Sequence, residues 1–265
     1  MQQRVVTSHL DLQVSGASQL VLSIAVADGL PLASETLRIT AEGSPVNPTE
    51  VLDDHGTRLH VLEVGSGWVT VDYEAVVAGL ATPAPVRPAD RIRYLRPSRY
   101  CESDSLVPTA AAEFAGLSGL NLLRAIVTWV NGHLRYVSGS SLPTDSAIST
   151  LLTRQGVCRD FSHLSIALLR ALNVPARLAA VYAPGLTPME YHAVCEALVD
   201  DVWWVVDATQ RAPRQSLVRI ATGRDAADTA FLTSFGGTVE LSGLEVTAVA
   251  SAFSLDDSVA LTQLR

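Results

Sequence analysis

The segment between Gly156 and Asp207 constrains the fold most strongly, because it carries one helical pattern followed by three strand patterns. Apolar residues after Cys158 recur at helical spacing and stop before Pro175, so we predict a helix that begins at Cys158 and is buried over a wide face. The apolar residues of this helix are Phe161, Leu164, Ile166, Ala167, Leu168, Leu169 and Leu172. A buried helix beside consecutive strands predicts an α+β fold.

Three short runs of β-branched, aromatic and apolar residues follow the helix. They cover residues 177–182, 192–199 and 202–207. Asp200 and Asp201 separate the last two runs, which predicts an antiparallel hairpin with its turn at these two residues. His192 lies at the start of one strand and Asp207 at the end of the next, so we expect the two to face each other across the ladder.

Cys158, His192 and Asp207 are the residue types of a thiol nucleophile, its general base and the carboxylate that orients the base. Free N–H groups and the positive end of the helix dipole favour a thiolate in the first turn of a helix, where the pattern places Cys158. An isolated cysteine at a helix start is usually a small buried apolar residue. The histidine and the aspartate therefore carry the prediction of a catalytic triad.

Three motifs resemble the bacterial branch of the transglutaminase-like superfamily, whose members are often described as cysteine proteases. They are Gly-x-Cys-Arg-Asp-Phe from Gly156, Tyr-His-Ala from Tyr191 and Val-Asp-Ala-Thr from Val206. The resemblance extends from about residue 94 to about residue 230 and includes residues 223–228. It implies a papain-like, transglutaminase-like core of the α+β class preceded by an all-β domain, with the same three residues as its triad.

Two positions depart from the family pattern. Val194 stands where the family usually has tryptophan, and Ala208 stands where it usually has proline. Both changes leave the triad intact. The missing tryptophan would narrow the apolar wall around a thioester on Cys158, so we expect water to reach that intermediate more easily.

Further residues are candidates for binding the oxyanion or the substrate. The Gln155 amide could donate to an oxyanion, although we favour a loop cap as its role. We interpret Asp160 as a charge that stabilises the first turn of the helix, with a substrate contact as the alternative. Trp203 and Trp204 are adjacent on a strand, so one faces the core and the other faces the surface or the cleft. We assign the cleft position to Trp204.

Other reactive residue types have simpler interpretations. We expect His163 to be structural and Cys195 to lie in the core, on the opposite strand face from His192. Cys101 is a poor nucleophile candidate, because the neighbouring Glu102 and Asp104 raise the pKa of a thiol. The remaining histidines have no metal-ligand spacing, so we expect neither a metal nor a cofactor.

The predicted organisation has three parts. Residues 1–80 contain short strand patterns, which predict a β-sandwich-like domain with a hairpin turn at residues 65–67. Residues 81–97 contain four prolines and are predicted to be a linker. Residues 98–265 are predicted to be the catalytic domain, with C-terminal strands over residues 239–253 returning to cover a sheet.

Composition restricts the class of function. A formal net charge of −8 argues against a nucleic-acid partner. No leader pattern and no apolar run near the ~20 residues of a membrane span are present, so we expect no membrane association. Three cysteines are too few for a disulfide framework, and a reactive thiol fits a reducing cytoplasm. All 19 basic residues are arginines, so the chain has no lysine amine to act as an acyl acceptor.

These observations predict an enzyme that transfers an acyl group from an amide, most simply by hydrolysis of a peptide or protein substrate. Amine transfer to glutamine, which is the true transglutaminase reaction, is one alternative. A non-catalytic peptide-binding module is the other, but an unneeded buried histidine–aspartate pair costs desolvation energy. The sequence leaves the oligomeric state open.

Overall fold

The computed structural model describes residues 2–253, 256 and 260–265. Its strands are β1 (Gln3–Leu22), β2 (Leu32–Ala41), β3 (Ser44–Pro45), β4 (Thr49–Leu52), β5 (Arg58–Val64), β6 (Gly67–Ala78), β7 (Arg135–Tyr136), β8 (Gln155–Gly156), β9 (Ala176–Tyr182), β10 (Tyr191–Val199), β11 (Val202–Val206), β12 (Val218–Gly223) and β13 (Leu232–Ala250). Its α-helices are α1 (Asp90–Arg93), α2 (Val107–Glu113), α3 (Gly119–His133), α4 (Ala147–Thr153) and α5 (Cys158–Ala171). The protein is of the α+β class, as predicted.

The strand β1 lies at the centre of a seven-stranded antiparallel sheet. One edge of β1 pairs with β13 along nearly its whole length, while the other edge pairs first with β6 and then with β5. Alternate residues of β1 are buried, which gives the sheet one apolar face. Because β13 comes from the segment assigned to the catalytic domain, the strand pairing crosses the predicted domain boundary. The boundaries themselves remain a prediction.

The prediction of a hairpin at Gly65-Ser66-Gly67 is wrong. The strands on either side, β5 and β6, do not pair with each other but lie one after the other along the same edge of β1. Ser66 accepts a hydrogen bond from the Gly16 N–H at 2.8 Å, and Gly16 bends β1 with a φ of 91°. Gly65 and Gly67 therefore lie in an interruption between β5 and β6, at the point where β1 bends. The bend of β1 is distant in sequence, so the local turn pattern could not predict this interruption.

The second sheet has the strand order β11-β10-β9-β12 and is also antiparallel. The turn at Asp200 and Asp201 is confirmed: both residues have positive φ, and Val199 pairs with Val202 on either side of them. Positive φ at both central residues is the geometry of a type I′ turn, which matches the twist of a hairpin. Helix α5 packs on β10 and β9, and one apolar cluster joins them to α2, α3 and α4.

The two sheets pack together near the ends of β9 and β12. Tyr182, Val218 and Ile220 of the second sheet share an apolar cluster with the buried face of the seven-stranded sheet. The Tyr182 hydroxyl donates to the Ile24 carbonyl at 2.8 Å, and its ring stacks on Tyr73 with centroids 6.3 Å apart. The molecule therefore has helices, a four-stranded sheet and a seven-stranded sheet in succession, and the N-terminal sheet is part of the same packed body.

The segment predicted to be a linker is anchored to the core. Tyr94, directly after α1, is almost fully buried and packs edge-on against Trp203 with centroids 5.7 Å apart. None of the helices in the described part of the chain is long and apolar enough to cross a membrane.

Candidate active site

Cys158 is the first residue of α5, as predicted, and 8% of it is exposed. The carboxylate of Asp160 folds back and accepts the Val157 N–H at 2.8 Å, which fixes the entry of the chain into the helix. A Cβ on Gly156 would lie 2.5 Å from the Cβ of Asp160, so only glycine fits at this position, two residues before the cysteine. Asp160 therefore stabilises the helix start, as we interpreted it, and this contact explains why glycine occupies position 156.

His192 and Asp207 lie together, but not in the predicted register. The ladder pairs Cys195 with Val206, so continued counting places His192 opposite Thr209 and Asp207 opposite Val194. His192 and Asp207 are therefore diagonal neighbours on one face rather than a facing pair. The His192 Nε2 and Asp207 Oδ2 atoms are 3.7 Å apart, within the range of an ion pair but longer than a normal hydrogen bond.

Thr209 fixes the Asp207 carboxylate. Its backbone N–H and its hydroxyl both donate to Asp207 Oδ1, at 2.9 and 2.7 Å. This leaves Oδ2 to face His192. The Asn131 side chain donates to the Ala208 carbonyl at 2.8 Å and ties α3 to the same turn. The sequence analysis did not assign a role to Thr209, although an aspartate two residues before a threonine is a recognisable turn signal.

The electrostatics of the site couple all three predicted residues. Burial alone would lower the pKa of His192, but the charge of a Cys158 thiolate and the neighbouring Asp207 carboxylate raise it to about 10. Burial tends to raise the pKa of Asp207, but His192 and the two Thr209 donors outweigh it, and the pKa is lowered. The arrangement therefore favours the imidazolium form of His192 beside an ionised Asp207 carboxylate.

Three polar atoms of this site are buried without a hydrogen-bond partner among the described residues. They are Nδ1 and Nε2 of His192 and Oδ2 of Asp207. Buried polar groups in proteins are normally satisfied, and exceptions call for a reason. A reacting group or a substrate contact is such a reason.

Tyr136 also lies beside the cysteine, and the sequence analysis did not identify it. Burial and then the charge of the Cys158 thiolate raise the pKa of its phenol. The hydroxyl donates to Glu190 at 2.9 Å, and the Arg211 guanidinium lies 4.2 Å above the ring centroid. Parallel pairing of β7 with β8 places Tyr136 beside Gly156, so no local pattern could have predicted the contact.

A cavity of about 370 Å³ opens beside Cys158 and His192. Gln155 and Trp204 do not line it. Gln155 is half-buried in β8, and its oxyanion role remains a prediction. The Trp204 indole donates to the Val199 carbonyl at 3.3 Å, and its ring packs on the helical core. The assignment of Trp204 to the cleft is thus unsupported, because the hairpin directs it to the helix-packed face.

Val194 does not form a wall of the cavity either. It is fully buried in a separate apolar cluster with Ala179, Val181 and Val205. The expectation that this position controls access of water to a thioester therefore lacks structural support, because Val194 is not among the residues that line the cavity.

The residues that we interpreted as structural are buried. Cys195 and Cys101 are fully buried, and burial raises the pKa of each thiol. His163 is also fully buried, and burial lowers its pKa to about 3, so the ring is neutral. Its Nε2 accepts the Ala226 N–H at 3.1 Å, and its ring stacks on Tyr100 with centroids 5.2 Å apart. His163 thus holds the loop that follows β12.

The same loop contains the Gly-Arg-Asp-Ala-Ala-Asp segment from Gly223. Asp225 accepts the backbone N–H groups of Tyr100 and Ala227, each at 2.9 Å. The Arg170 side chain donates to the Arg224 carbonyl at 2.6 Å. These contacts fix the loop against α5, at the border of the cavity. Among the described residues no cluster of three or more His, Cys, Asp or Glu side chains could hold a metal ion.

Comparison with known proteins agrees with the geometry. A family model described as the transglutaminase-like superfamily matches residues 108–208. A crystal structure of a candidate cysteine protease from Cytophaga hutchinsonii is 32% identical, with a TM-score of 0.86 over 100% of this chain and 93% of that one. The chain belongs to the transglutaminase-like superfamily. The superfamily match includes Cys158, His192 and Asp207, and the similarity to the Cytophaga structure extends through the N-terminal sheet and β13.

Other matches have lower identity. An uncharacterized protein of Mycobacterium leprae (strain TN) is 29% identical over 115 residues, which are 40% of this chain and 41% of the relative. The match thus spans less than half the length of that relative. The periplasmic domain of TgpA from Pseudomonas aeruginosa aligns with 76% of this chain and 91% of its own, at 16% identity and a TM-score of 0.42.

Proposed function

We propose that the protein hydrolyses peptide or other amide bonds through a thioester formed on Cys158. One observation carries the proposal: His192 is buried between a thiol and a carboxylate, and these two groups raise its pKa to about 10. A structural histidine with the same burial would be neutral, as His163 is. The unpaired ring nitrogens of His192 are the groups that proton transfer requires.

The first half of the reaction forms the thioester. The Cys158 sulfur attacks the amide carbonyl carbon, and the carbonyl electron pair moves onto oxygen. The backbone N–H of Cys158 at the start of α5 would help to stabilise that oxyanion. When the oxyanion collapses, the C–N bond breaks and the His192 imidazolium gives its proton to the leaving amine.

The second half returns the enzyme to its starting state. Neutral His192 takes a proton from water, and the resulting hydroxide attacks the thioester carbon. The C–S bond breaks, which releases the carboxylic acid and the Cys158 thiolate beside an imidazolium. Throughout both halves Asp207 holds the orientation of the imidazole and stabilises its cation, and Thr209 holds Asp207.

We propose water rather than an amine as the acyl acceptor because of the similarity to the Cytophaga hutchinsonii protein, which is described as a candidate cysteine protease. Position 194 does not contribute to this choice, since its side chain does not line the cavity. The acceptor is therefore the part of the proposal that most needs a direct test.

The test is cleavage of a peptide library in ¹⁸O-labelled water, with a tagged primary amine present and the products read by mass spectrometry. We expect new carboxyl ends that carry one ¹⁸O atom, and we expect Cys158→Ala to abolish them. The matched control is Cys101→Ala, which removes another buried thiol and should leave turnover unchanged.

Two outcomes would contradict the proposal. If amine adducts exceed hydrolysis products, the protein is an amine transferase. If selective alkylation of Cys158 occurs without turnover of any library member, the site binds peptides without cleaving them.

A further inference from the structure

The cavity beside Cys158 is built by both sheets of the molecule. Leu178, Ala180 and Ile220 of the four-stranded sheet form one side. Phe231 and Leu232, at the start of β13, form another side together with Ser23, which directly follows β1. The N-terminal sheet therefore contributes directly to the space next to the candidate nucleophile.

We propose that this cavity binds a large apolar side chain of the peptide substrate, next to the amide bond that is cleaved. The N-terminal sheet and β13 would then select the substrate. This inference rests on the proposed function and deepens it by naming the substrate class: peptides with an aliphatic or aromatic residue beside the cleaved bond.

The chemistry of the lining supports an apolar occupant. Leu178 and Ile220 are almost fully buried, and none of the described residues that line the cavity has a carboxylate. Apart from tyrosines, the ionisable groups of these lining residues are Cys158 and His192, which belong to the candidate triad, and Arg159. Arg159 donates to the Ser141 hydroxyl and to the Leu142 carbonyl, each at 2.6 Å. A basic substrate side chain would lose its hydration there without gaining a carboxylate partner from the lining residues.

The size of the cavity indicates one side chain rather than a cofactor. Its volume of about 370 Å³ is at the lower end of the range for small-molecule sites. An apolar wall selects among substrates by how well their side chains fit the cavity. Each methylene missing from or added to the substrate side chain typically changes kcat/KM by about 10- to 200-fold.

Ser23 provides an independent indication that something binds there. Its hydroxyl is buried, lines the cavity and has no hydrogen-bond partner among the described residues. Its backbone N–H donates to the Phe231 carbonyl at 3.0 Å, which ties the end of β1 to the start of β13. The wall is thus fixed in place, and it holds a polar atom that a backbone group of a bound peptide would satisfy.

Aromatic contacts hold the same wall against the active-site strand. The ring of Phe231 lies 5.2 Å from that of Tyr191, and Tyr191 lies 5.6 Å from Tyr182, measured between centroids. Tyr191 directly precedes His192. A change at Phe231 should therefore alter the cavity while the backbone of β10 stays in place.

The experiment compares rates of Cys158 labelling by peptidyl vinyl sulfones that carry leucine, phenylalanine, glycine or aspartate next to the warhead. Each rate is divided by the rate with iodoacetamide, which needs only the thiol. In the wild type we expect leucine and phenylalanine probes to react at least about tenfold faster than glycine and aspartate probes.

Variants then locate the selectivity. Ala180→Phe fills the cavity and should remove most of the apolar preference, with iodoacetamide labelling retained. Phe231→Ala enlarges it and should move the preference towards larger side chains by about tenfold. Phe235→Ala is the matched control, because Phe235 lies on β13 but outside this cavity and is 57% exposed. It should behave as the wild type does.

The results separate the two proposals. Cys158-dependent cleavage without an apolar preference, or with a preference that Phe231→Ala leaves unchanged, would overturn this inference and leave the proposed function standing. An apolar labelling preference that Phe231→Ala shifts, in a protein that cleaves no peptide, would keep the binding cavity and overturn hydrolysis. If Ala180→Phe does not fold, Phe231→Ala alone decides.

Discussion

Strand β10 carries two buried charged clusters that differ in how fully their polar atoms are used. Around Glu196, Arg177 Nε donates to Oε2 at 2.8 Å, and Arg219 donates to Oε2 at 2.8 Å and to Oε1 at 2.7 Å. Around His192, both ring nitrogens and Asp207 Oδ2 lack a hydrogen bond within the described part of the chain. Both clusters are equally inaccessible to solvent.

Burial and charge alone therefore do not identify a reactive site. The Glu196 cluster is saturated at the carboxylate, and the two arginines lower the pKa of Glu196 to about 2 against the opposing effect of burial. Both oxygens of the Glu196 carboxylate accept hydrogen bonds, although Nη2 of Arg177 has no partner among the described residues. The His192 cluster keeps unpaired atoms on both the imidazole and the carboxylate, which is why we assign stability to the first cluster and chemistry to the second.

The largest expected effect is on turnover, from a substitution in the His192 cluster that leaves the Glu196 cluster unchanged. We expect Asp207→Asn to fold normally and to lose about 10⁴ in kcat, because an amide neither orients the imidazole correctly nor stabilises its cation. The measurement is turnover of any peptide confirmed as a substrate, together with thermal unfolding. Near-normal turnover would transfer the orienting role to another carboxylate, and Asp200 and Asp201 would be tested next.

The second substitution is in the Glu196 cluster. Glu196→Gln leaves two buried arginines without a countercharge, so we expect the free energy of unfolding to fall by about 3–5 kcal/mol. Denaturant unfolding measures this loss. Active-site titration of the folded fraction should give an unchanged kcat per folded molecule. A large drop in kcat at normal stability would show that the two clusters are not separate in function.

The pH dependence of stability should distinguish the two clusters, because the pKa of Glu196 is lowered whereas the pKa of His192 is raised. The lowered pKa of Glu196 stabilises the fold above the ordinary value of a glutamate, and this contribution is lost as the pH falls towards about 2. The raised pKa of His192 stabilises the fold below the ordinary value of a histidine, and this contribution is lost as the pH rises through about 10.

Thermal unfolding of wild type and variants across that range checks both signs. Glu196→Gln should flatten the acid limb, whereas Asp207→Asn should move the alkaline limb to lower pH. If one variant changed both limbs equally, the two clusters would titrate as one network.

The smallest expected effect concerns Thr209. Thr209→Val removes the hydroxyl that donates to Asp207 but keeps the backbone donor, so we expect kcat to fall by about tenfold, the equivalent of about 1.4 kcal/mol. Thr209→Ser should restore most of it. If Ser and Val variants behave alike, the hydroxyl has no part in holding the carboxylate.

Local patterns in the sequence predicted the helix, the hairpin and the three candidate triad residues, because each depends on neighbours along the chain. The register was wrong because Asp207 lies beyond the end of β11, and the turn at Asp200 and Asp201 fixes the pairing from the other end of the hairpin. Counting from that turn places His192 opposite Thr209. Strand ends are a poor guide to register, whereas the turn type determines it.

Contacts between distant segments were not predictable in this way. Tyr136 reaches Cys158 through a parallel pairing of two-residue strands, which leave no periodic signal. The partner of β1 is at the far end of the chain, so the pattern of residues 239–253 could predict a strand but not the sheet that it joins. The wall formed by Ser23 and Phe231 follows from that same pairing.

The pairing of β1 with β13 also sets an order of events during synthesis. β1 is synthesised before the segment that contains the candidate triad and β13 is synthesised after it, so one edge of β1 has no partner until β13 has left the ribosome. The nascent chain already contains Cys158, His192 and Asp207, but it lacks Phe231 and Leu232. A ribosome-bound intermediate can therefore contain the candidate nucleophile before it contains the wall that we propose selects the substrate, and the selectivity would depend on the later synthesis of β13.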